Sequence, residues 1–222
     1  MATLNLPTAG RTLAPYTTGE PLDFAALSGA DTKFNRVAFA ASHVVADPFA
    51  DNDPWLTPAI DWERTIAFRH YLWDLGLGVA EAMDTAQRGM GLSWENAQEL
   101  IRHALAAARG RDGALIACGA GTDHLEPSQD VTLDDVIRAY EEQFAFVEGE
   151  GGRVIMMASR ALAKAASGRA DYELVYGRIL EGAREPVILH WLGEMFDPAL
   201  EGYWGSSDTA AAMDVCLDII SA

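Results

Sequence analysis

The sequence predicts an α/β protein built as an incomplete TIM-type (β/α)8 barrel, with about five βα units in 222 residues. Five short apolar runs begin at residues 36, 77, 114, 153 and 186, so successive runs start 33 to 41 residues apart. The runs are partly β-branched and apolar on both faces, which is typical of buried parallel strands. Helical patterns separate the runs and no region contains strands alone, which favours one α/β domain.

Each stretch between or after the runs carries a signal for the start of a helix. A side-chain oxygen just before the first turn accepts hydrogen bonds from backbone N–H groups that lack a partner inside the helix. The predicted starts are, in chain order, Asp61, Ser93, Thr132, Asp171 and either Ser207 or Asp208. Gly110 and Gly149 follow the second and third helices and suit the left-handed residue that closes many helices.

The chain divides into two parts. Residues 1–35 are rich in Gly, Pro and Thr, and predict an irregular N-terminal segment with room for a short hairpin. Residues 36–222 hold βα units 1–5. A doubly wound sheet also fits, but near-equal units without a GxGxxG or GxxxxGK[ST] motif favour the barrel. A full barrel takes ~250 residues, so we expect an N-terminal portion of a longer one.

Composition limits the partners of the protein. A formal net charge of −17 predicts that neither nucleic acid nor an anionic membrane is a partner. No apolar run reaches the ~18–20 residues of a membrane helix, and the first residues lack the apolar core of a signal peptide. Cys118 and Cys216 form neither a disulfide framework nor a zinc motif. These features predict a cytoplasmic protein, and a homo-oligomer remains open.

The end of the second run is the most polar of the strand ends. In "AEAMDTAQRG", Glu81 interrupts an apolar run, and an unpaired carboxylate there would be costly to bury. Glu81 is therefore either a substrate or acid–base group or the ion-pair partner of Arg88 or Arg36. Asp84 and Thr85 follow the strand, where active sites of parallel α/β folds gather, and we favour a functional role for both.

Histidines and glycines mark other strand ends. His43, His124 and His190 follow or end the first, third and fifth runs, and alternate strands of a barrel share a layer of its interior. The run ending in "CGAGTDH" brings Gly121 and Thr122 to the same edge, where backbone N–H groups can approach an anion or simply form a tight turn.

Five stretches from about residue 34 onward carry a family resemblance: "FNRVAFAASHVVADPFADNDPW", "IDWERTIAFRHYLWDLGLGVAEAMDTAQRGMGLSW", "ACGAGTDHL", "VIMMASRALA" and "REPVILHWLGEMFDPAL". With them the chain resembles an uncharacterised bacterial branch of the dihydrodipicolinate synthase-like proteins, within the class I aldolase superfamily. The resemblance implies a TIM barrel and lyase or aldolase chemistry on a 2-oxo acid, through a Schiff-base lysine on the sixth strand.

The sequence departs from the pattern of that superfamily. His190 stands where a proton-relaying tyrosine is expected, and a double threonine that binds the substrate carboxylate is absent after the second strand. The sixth strand is not represented, and neither Lys33 nor Lys164 matches the expected lysine. We therefore expect a truncated chain that lacks the Schiff-base lysine.

Three functional hypotheses follow. The first is a lyase or aldolase for a 2-oxo acid or related small carboxylate, with no metal or cofactor. The second is a metal-dependent barrel enzyme using His43, Glu81, Asp84, His124 or His190, and the third is a non-catalytic partial barrel that needs a partner chain. The first hypothesis assigns catalysis to His190 and Asp84 and substrate binding to Thr85, Glu81, His43, Gly121, Thr122 and His124.

Overall fold

The structure, a computed structural model, describes residues 1–23 and 35–222 of the chain. Its strands are β1 (Thr3–Pro7), β2 (Leu13–Thr17), β3 (Phe39–Ala41), β4 (Gly78–Glu81), β5 (Ile116–Ala120), β6 (Arg153–Met156) and β7 (Ile188–Leu189). Its helices are α1 (Trp62–Asp74), α2 (Trp94–Arg109), α3 (Leu133–Gly149), α4 (Arg160–Ala165), α5 (Arg169–Gly182) and α6 (Thr209–Ser221), and short 3-10 turns cover Asp84–Ala86, Pro198–Leu200 and Tyr203–Gly205.

The five predicted strands form one parallel sheet in the order β3-β4-β5-β6-β7. A strand order that follows the chain without reversal is the order of a barrel, whereas a doubly wound sheet reverses at its ligand site. The sheet curls into a half-barrel with helices packed against it, so the predicted fold class is confirmed.

The N-terminal part contains a separate hairpin. Strands β1 and β2 pair antiparallel, with Leu4 opposite Tyr16 and Leu6 opposite Ala14. Both strands are largely exposed. The division at residue 35 stays a prediction, and Lys33 lies outside the described residues.

The helix starts follow the capping signals with one correction. Asp61, Ser93 and Asp208 each accept a hydrogen bond from the backbone N–H three residues on, and Thr132 forms a complete capping box with Asp135. Helix α5 begins earlier than predicted, after Gly168 rather than at Asp171. The Asp171 carboxylate instead reaches back to accept a hydrogen bond from the Ser167 backbone N–H at 2.6 Å.

The two faces of the sheet are packed differently. Cys118 and Met156 belong to the main apolar core, which includes buried residues of α2, α3, α5 and α6. Their neighbours Ala117 and Ile155 belong to a smaller cluster on the opposite face, because successive side chains of a strand alternate. Within the described residues, no helix is long and apolar enough to cross a membrane.

Gly119 allows a close approach on the face of the smaller cluster. A Cβ atom there would lie 2.6 Å from Met157 Sδ and 2.7 Å from the Ala82 carbonyl oxygen. Gly119, the first glycine in "CGAG", is therefore explained by packing within the sheet rather than by an anion.

A fully buried ion pair joins α1 to β4. The Arg69 guanidinium donates from Nε and Nη2 to the two carboxylate oxygens of Glu81, both at 2.8 Å. Its Nη1 donates to the carbonyl oxygens of His43 and Thr65. Glu81 also accepts a hydrogen bond from the Ala82 backbone N–H. The expected partners Arg88 and Arg36 are thus corrected to Arg69.

Removal of one partner should be strongly destabilising. Glu81→Ala leaves the Arg69 charge buried without a counter-charge, and we expect a loss of about 3–5 kcal/mol in the free energy of unfolding. Urea unfolding followed by circular dichroism measures it. Glu99→Ala, which breaks an exposed pair with Arg102, is the matched control and should change little. Similar midpoints for the two variants would contradict the role assigned to the buried pair.

Candidate functional site

A cavity of about 280 Å³ opens at the carboxyl ends of β4, β5 and β6. This is the edge at which active sites of parallel α/β folds lie. The loop after β7 closes part of its rim through Leu192, Asp197 and Leu200. Its charged lining residues are Asp84, Arg88, Asp123, Glu126, Arg160 and Asp197.

Arg88 holds the floor of the cavity and is itself buried. Its Nη1 donates to the carbonyl oxygens of Ala82 at 3.1 Å and Gly119 at 2.8 Å, which follow β4 and lie in β5. Its Nε and Nη2 both donate to the Asp123 carboxylate, and Nη2 also donates to Gln143 Oε1 at 2.6 Å. Every nitrogen of this guanidinium has a partner, so its role is to fix the strand ends.

The charge of Arg88 also determines the protonation state of the Asp123 carboxyl. Burial alone would raise the pKa of the Asp123 carboxyl, but the adjacent Arg88 guanidinium and the Gln143 amide outweigh it. The pKa is therefore lowered, and Asp123 is ionised at neutral pH as the counter-ion of Arg88.

Asp84 and His190 face each other beside the cavity. Asp84 begins the 3-10 turn after β4, and the His190 backbone N–H extends the β6–β7 pairing by donating to the Met156 carbonyl oxygen. Asp84 Oδ2 and His190 Nδ1 are 3.8 Å apart. Within the described residues neither atom has a hydrogen-bond partner, although both are shielded from solvent. Such an orphaned pair is uncommon and marks a functional candidate.

Burial moves the two pKa values toward each other. Loss of solvation raises the pKa of the Asp84 carboxyl, opposed by the positive groups His190, Arg160 and Arg88. Loss of solvation lowers the pKa of the His190 imidazole, opposed by the Asp84 charge. A carboxyl normally titrates well below an imidazole. The smaller separation lowers the free-energy cost of passing a proton between the two groups.

Hydroxyl groups secure the other side of the cavity. Thr122 Oγ1 and Ser159 Oγ are 2.6 Å apart, and both side chains are buried. Ser159 also caps α4 by accepting from the Leu162 backbone N–H, and its own backbone N–H donates to the Tyr203 hydroxyl at 3.0 Å. The segment after β7 is thereby tied to the junction of β6 and α4.

The structure brings only some of the predicted residues together. Asp84, Gly121 and Thr122 line the cavity, and His190 adjoins it through Asp84. The Gly121 backbone N–H donates to Gln143 Oε1 at 2.7 Å, so it is not available to an anion. Thr85 is exposed and does not line the cavity.

The remaining three predicted residues lie apart from the cavity. Glu81 is saturated by Arg69 and the Ala82 N–H. His43 is exposed and stacks on Phe68 with ring centroids 5.1 Å apart. His124 contacts Gln143 through Nδ1 and lies 3.4 Å from Glu142. Across the described ranges, no three His, Cys, Asp or Glu side chains converge in a way that could hold a metal ion.

Two important residues, Arg69 and Arg160, are not among the candidates that the sequence predicts for the site. Arg69 stands in the apolar stripe of α1, where it complements the glutamate that interrupts β4, and this double anomaly was a usable signal. Arg160 follows β6 and lines the cavity, with its Nε donating to Asp197 Oδ2 at 2.5 Å. The sequence shows that Arg160 comes just after a strand. It does not show the pairing with Asp197, which lies 37 residues further along the chain.

The raised pKa of Asp84 predicts that Asp84→Asn increases folding stability, and that the increase depends on pH. The folded protein holds this proton more tightly than the unfolded chain, so wild-type stability falls as pH rises from 3.8 through the folded pKa. The asparagine side chain of the variant does not titrate, so the variant does not lose stability in this way. We expect its thermal midpoint to be higher than that of the wild type at pH 7 and equal to it near pH 3.

Asp112→Asn, in the exposed turn after α2, controls for the general effect of removing one negative charge. An equal gain from both variants at pH 7, or a gain for Asp84→Asn that does not change with pH, would contradict the assignment.

Comparisons with known proteins found a matching family model and solved structures of similar fold. The model of a family described as "Protein of unknown function (DUF993)" matches residues 4–222. The search of curated proteins returned no match.

The chain is similar in fold to solved dihydrodipicolinate synthase structures. One such structure has 14% identity and a TM-score of 0.51, with 81% of this chain and 52% of that chain covered. One from Oceanobacillus iheyensis has 17% identity and a TM-score of 0.50, covering 81% and 51%. A protein from Pseudomonas aeruginosa, inferred to be a dihydrodipicolinate synthetase, has 16% identity and a TM-score of 0.53, covering 84% and 53%. The chain therefore spans about half of their length.

Proposed function

The chain belongs to the DUF993 family of proteins of unknown function, and from its cavity we propose that it acts on a small carboxylate by proton transfer at a carbon atom next to a carbonyl group. This is the step that lyases and aldolases for 2-oxo acids have in common. The observation that carries the proposal is the Asp84–His190 pair beside the cavity, whose facing atoms have no hydrogen-bond partner among the described residues.

Geometry and charge support this reaction class. A group that takes a proton from carbon must be unprotonated near neutral pH, and burial lowers the pKa of the His190 imidazole. Asp84 can receive that proton or supply one to the carbonyl oxygen, because the two pKa values lie closer than usual. The acid and the base are thus adjacent, and the fold likeness to dihydrodipicolinate synthases is consistent with a 2-oxo acid as substrate.

Among the described residues no lysine is placed to form a Schiff base, so the proposed chemistry does not use one. An imine needs a lysine that faces the substrate carbonyl. Lys164 is exposed in α4 and does not line the cavity. A lysine contributed by further barrel strands, as in the expectation of a truncated chain, would add to the pair rather than replace it.

Exchange of carbon-bound protons tests the proposal directly. We expect the protein to accelerate the loss of the pyruvate methyl signal in deuterium oxide, followed by proton NMR. His190→Gln and Asp84→Asn should each lower the catalysed rate by a factor of about 10²–10⁴, the usual contribution of a general acid or base.

His103→Gln is the matched control, because His103 lies in α2 and stacks on Trp62, whereas His190 is the histidine that faces Asp84. A wild-type rate equal to the rate without protein, for pyruvate and for 2-oxobutyrate, would refute the proposed reaction.

A second candidate function rests on the exposed edge of the sheet. In the described part of the chain β7 pairs only with β6. The loop that follows it exposes Met195 at 94% and Phe196 at 81% of their surface. Exposed apolar groups of this size beside an open strand favour contact with another polypeptide. We propose a second copy of the chain as the partner to test first.

Sedimentation velocity measures this association. We expect a concentration-dependent dimer for the wild type and a monomer for the Met195→Ser/Phe196→Ser double variant. Phe49→Ser, which removes a side chain exposed at 91% in the loop after β3, should leave the dimer intact. A wild type that stays monomeric at roughly 100 μM, a concentration at which a specific contact should be populated, would contradict self-association.

A further inference from the structure

Two arginines line the cavity, and they differ in how many donors they have left. Arg88 is saturated by carbonyl oxygens, Asp123 and Gln143. Arg160 uses its Nε for Asp197, and within the described ranges neither of its Nη nitrogens has a hydrogen-bond partner. About a third of its side chain is exposed. Arg160 is thus the arginine of the cavity that can still bind an anion.

The Arg160 guanidinium has one hydrogen-bond partner and one close backbone neighbour. The Asp197 carboxylate fixes its Nε at 2.5 Å. Gly89 lies close to the same guanidinium, since a Cβ atom there would be 3.0 Å from Nη1. The φ of +67° at Gly89 is the left-handed conformation that favours glycine. The planar fork of an oriented guanidinium matches the two oxygens of a carboxylate.

Arg160 also acts on the acid–base pair electrostatically. Asp84 is faced by His190 at the end of β7, by Arg160 at the start of α4 and by Arg88 in the loop after β4. Asp123, Asp197 and Glu126 also line the cavity, and the first two are already paired with the arginines. Because Arg160 contributes to lowering the pKa of Asp84, an anion that neutralises Arg160 removes this effect and adds a like charge nearby.

We propose that Arg160 binds the carboxylate group of the ligand and that each binding event brings up to one proton onto the Asp84–His190 pair. The inference rests on the proposed function in using the same pair, but it concerns binding and needs no turnover. It assigns the ligand class as small monocarboxylates, since among the described residues one arginine of the cavity has free donors and the other charged lining residues are acidic apart from the saturated Arg88. Ligand binding would thus load the acid before the chemical step.

Calorimetric titration of the protein with pyruvate tests both parts. At one pH near neutrality, buffers with different ionisation enthalpies give different apparent heats, and the slope gives the number of protons taken up. We expect net proton uptake for the wild type, and no measurable binding for pyruvamide, the neutral amide. Arg160→Met should weaken pyruvate binding by about 10- to 100-fold, the usual effect of losing a charge-assisted hydrogen-bonded pair.

Other variants separate binding from proton uptake. The Asp84→Asn/His190→Gln double variant should bind pyruvate without taking up a proton. Arg160→Lys should recover part of the affinity lost in Arg160→Met, which a purely structural role for Arg160 would not predict. Arg178→Met is the matched control and should leave affinity and uptake unchanged, because Arg178 is an exposed residue of α5 that does not line the cavity.

The outcomes distinguish this inference from the proposed function. Proton-coupled binding without exchange of the methyl protons would support the role of Arg160 and refute the proposed reaction. Methyl exchange at the wild-type rate in Arg160→Met would support the proposed reaction and refute the role of Arg160. Absence of wild-type binding for pyruvate, propionate and lactate, or binding with no proton uptake in any buffer, would overturn the inference.

Discussion

The hydrogen bonds of the Arg88 guanidinium are the constraint on which the site depends. One buried side chain holds the carbonyl oxygens at the ends of two neighbouring strands and, through Asp123 and Gln143, connects them to α3. The Arg88 ion is stable there because every donor is satisfied and a counter-ion is adjacent. The backbone leaving β4 is fixed by these contacts, and that backbone carries Asp84. The proposed acid–base pair therefore relies on a cation whose hydrogen-bond donors are all occupied by protein groups.

Two carboxylates three residues apart show how local partners decide a role. Glu81 and Asp84 both belong to the end of β4, and their residue types alone do not separate them. Glu81 has three hydrogen bonds to its two oxygens and is fixed as a counter-ion. Asp84 has a buried oxygen to which no described residue donates a hydrogen bond, and an imidazole lies nearby. A saturated group stabilises the fold, whereas an unsatisfied one retains free energy that a ligand or proton can release.

The regular features of the chain were predictable because they are local. Apolar runs and side-chain caps such as Ser93 and Thr132 gave the strands, their parallel order and most helix starts. The pairing of charges was not predictable, since it depends on which strand ends meet after folding. Arg69 lies in a helix and Asp197 lies in a loop after the last strand, and their partners are 12 and 37 residues away. Strand-end position thus identified Asp84 and His190 as candidates, but not the contacts that distinguish them from His43 or His124.

The hydrogen bond from the Ser159 backbone to the Tyr203 hydroxyl has a consequence for how such a protein can diversify. It anchors the far end of the segment after β7, while the near end continues from a strand of only two residues. Between these anchors runs the loop that carries Asp197. Under the proposed role of Arg160, substitutions of Asp197 or its exposed neighbours can change the orientation of the guanidinium while the sheet and its core stay unchanged. Leu200 of the same segment belongs to that core. Ligand preference and fold stability thus fall on different residues of the loop, so that selection can alter the first with little cost to the second.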